Sequence, residues 1–213
     1  RVSLVGGDTS STAGPVVLTI NMFGVVGNDR SLTRLGAEVG HRVLISGTVG
    51  DAALGLRRLL GVDQGGWGED AAFLVNRHVC PSPRHVLGMA LVDAAVARAA
   101  IDVSDGLLAD MGRLCAASGV GADLDLEKIP LSPAARRWLG QGGVDAWRVL
   151  LTGGEDYELL FTVVPGAMDQ IPAMAVNTDL ALTEIGVITE RKGVRILDRG
   201  KPLDIPMTGF KHF

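Results

Sequence analysis

Cysteine is almost absent from this 213-residue chain, and the two that occur, Cys80 and Cys115, lie far apart without CxxC spacing. That excludes a disulfide framework and a zinc knuckle, and makes a reducing cytosol the expected setting. No apolar run reaches transmembrane length, and the first residues do not read as a signal peptide. An excess of positive charge is also lacking. Twenty basic against 24 acidic residues leave a net charge of −4, which gives no support for a general affinity for nucleic acid or anionic membrane. Neither the Walker pattern GxxxxGK[ST] nor the dinucleotide fingerprint GxGxxG is present, so any nucleotide site must be built otherwise. His41, His78, His85 and His212 form no base constellation and read as surface or local packing residues.

What is present is a core and many turns. The hydrophobic fraction of 47% excludes a disordered chain, and 29 glycines sit mostly in short clusters between apolar runs. Residues 2–5 and 16–26 read as two strands of a hairpin across the polar turn 9–15, with a boundary near 27–35. A strand at 42–49 leads into a helix from Asp51 to Gly61, a loop at 62–70 and a helix at 71–79. After PSPR, the apolar run 85–99 reads as a helix, 100–104 as a short extended piece, and LLADMGRLCAAS as a helix. In that helix, apolar positions 107, 108, 111, 114 and 115 share one face. A strand at 122–127, a short helix with Pro133 in its first turn, a strong strand at 157–164, a helix around 167–175 and strands at 184–189 and 194–197 complete the pattern. Strands alternating with helices predict α/β or α+β layers.

Acidic residues gather where strands end. In AIDVSDG, Asp102 and Ser104 point to one side of an extended segment and Ile101 and Val103 to the other, with Asp105 at the turn into a helix. Asp105 reads either as a helix cap or as a hard oxygen ligand for magnesium beside a helix start that favours phosphate. In GGEDYELLF, Glu155 and Tyr157 alternate with Asp156 and Glu158; an edge strand kept polar and a polar recognition loop both fit. The opening GGDTSST places Asp8 and Thr9 behind a glycine pair, consistent with an Asx or Ser/Thr turn or with a phosphate site. Arg34 is the best-placed cation, with a plain surface arginine as the other reading. Three acidic sites at strand ends together suggest a shared cleft of the kind that metal-dependent phosphoryl transfer needs.

The segments SLVGGDTS, SLTRLGAEVGHRVLISGTVGDAALGL, IDVSDGLLADMGRL, LTGGEDYELLFTV and GFKHF occur in an order and spacing that resemble the thiamine-monophosphate kinase family. That family belongs to an ATP-binding group with aminoimidazole ribonucleotide synthetase, selenophosphate synthetase and the hydrogenase maturation factor HypE. The resemblance implies ATP- and Mg2+-dependent conversion of thiamine monophosphate to thiamine diphosphate by direct transfer, without a phosphoenzyme. It implies catalytic and metal roles for Asp8 and Asp105, and metal or phosphate contact for Asp102 and Ser104. Thr9 and Arg34 fall on the nucleotide, and Glu155, Asp156 and Tyr157 on the substrate side. Phe210 and Phe213 come from the terminal motif, with a ring at Phe210 expected near the thiamine moiety.

The implied architecture is the two-domain one of aminoimidazole ribonucleotide synthetase, with 1–28 the remnant of an N-terminal ATP/metal domain and 29–213 the C-terminal α/β domain. A homodimer through the N-terminal domain is implied as well. The chain departs from the family at His41, where aspartate is usual, and at its start, where the family runs longer. A missing upstream region is therefore expected. The rival readings are another ATP-using enzyme of the same group, a catalytically incomplete nucleotide-binding fragment, and a plain α/β domain whose acidic turns are only caps.

Overall fold

The computed structural model describes residues 2–27, 31–62, 68–140 and 143–205. The chain divides into two units, Arg1–Arg30 and Ser31–Phe213. In the first unit the hairpin expected from residues 2–5 and 16–26 does not form; among the described residues up to 27 there is neither strand nor helix. The side chains that would give such a hairpin an apolar face stand in solvent, as at Leu18, which is 87% exposed. A lone two-stranded hairpin without a buried face is marginal, which is the physical reason for the difference. Local polar bonds remain: the Thr9 amide donates to Asp8 Oδ1 (2.9 Å) and the Gly14 amide to Thr12 Oγ1 (3.1 Å).

The second unit is built on one seven-stranded sheet, in the order β2-β4-β1-β5-β3-β6-β7. The strands are β1 (Arg42–Ser46), β2 (Ala97–Val103), β3 (Gly121–Asp125), β4 (Glu158–Val163), β5 (Leu182–Thr189), β6 (Gly193–Asp198) and β7 (Lys201–Leu203). Only β3 and β6 pair in parallel; the other neighbours are antiparallel. Alternation along the strands divides the core into two layers. Val43 and Ile45 of β1, Ile101 and Val103 of β2, and Leu160 of β4 face one side. There they meet α1 (Asp51–Leu59), α2 (Asp70–Val79), α4 (Leu107–Ser118), α5 (Pro133–Leu139) and α6 (Gly143–Thr152). Leu44, Ala100, Phe161 and Val163 face the other side, against α3 (His85–Asp93) and α7 (Ile171–Thr178). This is the mixed α/β layering that the element order predicts.

Local chemistry sets most of the boundaries. Ser132 caps α5 by accepting from the Ala135 amide, with Pro133 in the first turn. The basic residues Arg57 and Arg58 fall in the last turn of α1, where the helix dipole favours them. The face predicted for α4 is the buried one, with Leu107, Leu108, Met111, Leu114 and Cys115 all in the core. Two expectations are corrected and one element is added. The helix read over 85–99 stops at Asp93; Ala95 turns with φ 55° and β2 starts at Ala97. The alanine-rich end of that run suits either state locally, and pairing of Ala97 and Ala99–Val103 with β4 decides it. The stretch 148–152, to which the sequence pattern gives no element, is the end of helix α6. The helix expected around 167–175 is a 3-10 turn over Pro165–Gln170 followed by α7.

Candidate active site

Both β1 and β2 run antiparallel to β4, so their C-terminal ends meet its N-terminal start, with Val103 opposite Glu158 and Ile45 opposite Leu160. Three junctions therefore collect at one end of the sheet: the β1–α1 turn, the β2–α4 turn and the α6–β4 loop. They interlock through backbone. The Glu155 amide donates to the Ser104 carbonyl (2.8 Å), and the Tyr157 amide to the Val103 carbonyl (2.9 Å). Gly106 starts α4 at φ 109°, and a Cβ there would lie 2.8 Å from the Thr152 backbone. A Cβ on Gly154 would lie 2.2 Å from the Ser104 carbonyl oxygen, so the contact needs glycine.

The β2–α4 turn is organised by a residue that sequence reasoning passed over. Asp110, buried on the otherwise apolar face of α4, accepts the amides of Ser104 (3.0 Å) and Asp105 (2.9 Å) on one oxygen. Its other oxygen takes Arg113, whose guanidinium also reaches Asp105 (2.5 Å). Asp105 thus does not cap α4; Gly106 occupies that position, and Asp105 is turned toward Arg113. Burial pushes the Asp110 carboxyl above its ordinary range, against the pull of these donors.

The α6–β4 loop divides its residues by face. Asp156 and Glu158 are buried, while Glu155 and Tyr157 are half-buried. Asp156 is turned to the start of α1, accepting the Gly50 amide (2.6 Å) and the Ala52 amide (3.1 Å). Burial raises its pKa to about 7 despite those two bonds. Next to it, Asp51 is held by hydroxyls of Ser132 and Thr48, and burial raises its pKa too. Glu158 binds Arg77, Arg84 and Ser46. Neither Arg77 nor Arg84 carries a motif signal; Asp51 lies in the segment GTVGDAALGL without a role assigned to it, and Glu158 is visible as an acidic residue opening the apolar strand ELLFTV.

Asp102 lies exposed on β2, the edge strand of the sheet. The segment before β1 runs beside that edge, with the Ala100 amide donating to the Thr33 carbonyl (2.8 Å). This brings exposed Arg34 and Asp102 onto one cleft of about 710 Å³, walled by Leu32, Leu35 and Leu159. Asp102 also borders a hollow of about 540 Å³ with Tyr157, Arg84 and His85. Ser104 and Glu155 border a third, of about 340 Å³, with Arg57 and His78. Arg57 stacks over the Trp138 ring at 5.8 Å. Asp8 and Thr9 belong to the first unit. Phe210 and Phe213 lie outside the described residues. Among the described residues, no three His, Cys, Asp or Glu side chains are grouped to hold a metal ion. His41 is buried; its Nδ1 accepts the Glu38 amide (3.1 Å), and burial lowers its pKa. Among the described residues, no helix is long and apolar enough to cross a membrane.

The whole chain is 38% identical to thiamine-monophosphate kinase of Escherichia coli strain K12, but spans only 64% of that protein's length. Among solved structures, thiamine-monophosphate kinase from Stenotrophomonas maltophilia K279a superposes with a TM-score of 0.74 at 40% identity, over 84% of this chain and 56% of that one. AaThiL complexed with AMPPCP and TMP superposes with a TM-score of 0.66 at 35% identity, over 85% of this chain and 54% of that one. Residues 38–199, which hold β1 through β6 and every junction of the site, match the model of the AIR synthase related protein, C-terminal domain; the chain belongs to that family.

Proposed function

We propose that the protein of which this chain forms part phosphorylates thiamine monophosphate to thiamine diphosphate, with ATP as donor and Mg2+ as cofactor. The observation that carries the reading is the gathering of Arg34, Asp102, Ser104, Asp105, Glu155 and Tyr157 at one edge and one end of the sheet, in a chain so similar to thiamine-monophosphate kinases. Arg34 supplies a guanidinium for nucleotide phosphate oxygens. Carboxylate oxygens are the hard donors magnesium takes, and exposed Asp102 with half-buried Asp105 fits that need; Asp8 keeps the metal role that the family resemblance implies for it. Bound magnesium would supply charge neutralisation between two anionic reactants.

The protein's own part is to orient. Ser104 and Asp105 are fixed through their amides by Asp110, and Glu155 and Tyr157 are fixed against β2. The acceptor is already a phosphate, ionised near neutral pH, so no side chain is assigned as nucleophile or strong base. In this reading the first unit is the tail of an N-terminal nucleotide domain that also forms a homodimer, and the enzyme works in the cytosol.

The test is an assay of the complete protein with labelled ATP, magnesium and thiamine monophosphate. Labelled thiamine diphosphate is expected. Asp102→Asn should lower kcat/KM by about a hundredfold or more, as loss of a group that positions phosphate charge does. Turnover of ATP on a different acceptor, with no thiamine diphosphate formed, would sink the assignment in favour of another enzyme of the same group.

A further inference from the structure

The phosphoryl transfer proposed above makes no use of a buried ion cluster at the start of β4. Glu158 is 1% exposed. Its Oε2 accepts from Ser46 Oγ (2.6 Å) and Arg84 Nε (2.7 Å). Its Oε1 accepts from Arg84 Nη2 (2.6 Å) and Arg77 Nη2 (2.9 Å). The Arg84 contact is a two-pronged fork, the geometry in which guanidinium and carboxylate bind with most directional definition. Arg84 sits just before α3, Arg77 in the last turn of α2 and Ser46 at the end of β1, so three separate parts of the fold close on one carboxylate. Two arginines against one glutamate leave positive charge in excess. Asp51, 3.8 Å from Arg77 Nε, offsets part of it.

The residues that this cluster adjoins are under backbone constraint. Glu155 and Tyr157 have φ of 74° and 49°, in the left-handed region that side-chain-bearing residues avoid. Such conformations persist only where the surroundings over-determine them. Here Glu155, Asp156 and Tyr157 are each tied. The Glu155 amide donates to the Ser104 carbonyl just past β2, the Tyr157 amide donates to Val103 of β2, Asp156 bonds the start of α1 through its carboxylate, and the Asp156 carbonyl accepts from Arg77 Nη2 (3.3 Å). Arg77 thus holds the loop and Glu158 at once. Arg84, Tyr157 and Asp102 border the same hollow.

We propose that Arg84 and Arg77, clamped on Glu158, are positioning residues that hold Glu155 and Tyr157 in their left-handed backbone and so shape the acceptor side of the site. The clamp acts through the loop and not by touching the reacting phosphates. Its effect on the acceptor rests on the functional reading above; its effect on the loop does not.

Tyr157 is the chain's single tyrosine, so labelling with 15N-tyrosine gives one amide signal from residues 1–213. In the wild type that amide should exchange slowly with solvent because it is bonded to Val103. Arg84→Met should speed its exchange about tenfold or more, with exchange of the β1 and β5 core amides unchanged. Arg84→Lys, which keeps the charge but loses the fork, should fall between; it also serves if Arg84→Met does not fold. In the complete enzyme, Arg84→Met should raise KM for thiamine monophosphate about tenfold while KM for ATP stays within about twofold.

Unchanged Tyr157 exchange in both variants overturns the clamp, as does acceleration spread evenly over the core, which marks a purely structural pair. Faster Tyr157 exchange in a protein that makes no thiamine diphosphate upholds the clamp and overturns only the functional reading.

Discussion

A carboxyl sealed against a helix start makes Asp156 a pH-sensitive group of the site. Its pKa of about 7 lies above the ordinary 3.8, with burial the main cause, so the folded chain holds this proton more tightly than the unfolded chain does. Stability from this group is full below the ordinary value and is lost as pH rises through about 7. Asp51 and Asp110 are shifted the same way by burial and add to the trend. Calorimetry from about pH 5 to about pH 8 should show stability falling by on the order of a few kcal/mol, and Asp156→Asn should flatten that slope. A slope unchanged in the variant would place the proton elsewhere. The same residue shows how burial changes what a carboxylate does. Beside the α1 amides Asp156 organises a turn, while Asp102, at the exposed sheet edge, stays open to a ligand.

At the scale of elements, the site depends on how closely two loops approach. Gly106 combines φ 109° with a Cβ position 2.8 Å from the Thr152 backbone, so α4 begins where α6 ends and neither can retreat without moving β2 or β4. Gly106→Ala should cost about 2–4 kcal/mol, from a strained backbone plus a steric clash against backbone atoms. Denaturant unfolding measures it; a loss below about 0.5 kcal/mol would mean that the junction is soft. Activity should fall as well as stability, because the backbone amides of Ser104 and Asp105 donate hydrogen bonds to Asp110 in the first turn of the same helix. The α4 pattern was legible as an apolar face, but Asp110 on that face was not. Nothing in its spacing distinguishes a buried acceptor of two amides from an ordinary solvent-facing acid.

At the scale of the whole molecule, one sheet separates two cores. Leu124 of β3 packs in the layer with α1, α2, α4, α5 and α6, whereas Phe161 of β4 packs in the layer with α3 and α7. Both side chains are fully buried. Leu124→Ala should cost about 2–5 kcal/mol and Phe161→Ala about 3–5 kcal/mol. Because they share no layer, the double variant should lose the sum within about 0.5 kcal/mol. A strongly non-additive result would show that the sheet transmits strain between its faces. ELLFTV and RVLIS are near-continuous apolar runs, as strands covered on both faces require, so the sequence marks them as buried but does not say which helices lie on which side. The hairpin expected before residue 27 does not form because an apolar run names a strand but supplies nothing to cover it.

The sequence by itself determined the motifs, the apolar faces, the class of fold and the residue types from which a phosphate site could be made, because these follow from periodicity and local turn chemistry. Tertiary structure alone decided which strand ends meet. The antiparallel passage of β4 between β1 and β2 put GGEDYE beside IDVSDG and the β1–α1 turn, although about 50 residues separate the two acidic segments in the chain. It also decided which acids face inward. Asp156, Glu158, Asp51 and Asp110 became fixed parts of the frame because burial gave them amide, hydroxyl and guanidinium partners, while Asp102 kept its exposure at the sheet edge. Charge pattern names the acids; only the packing around each says whether it can still bind a cation or has already been bound by the protein.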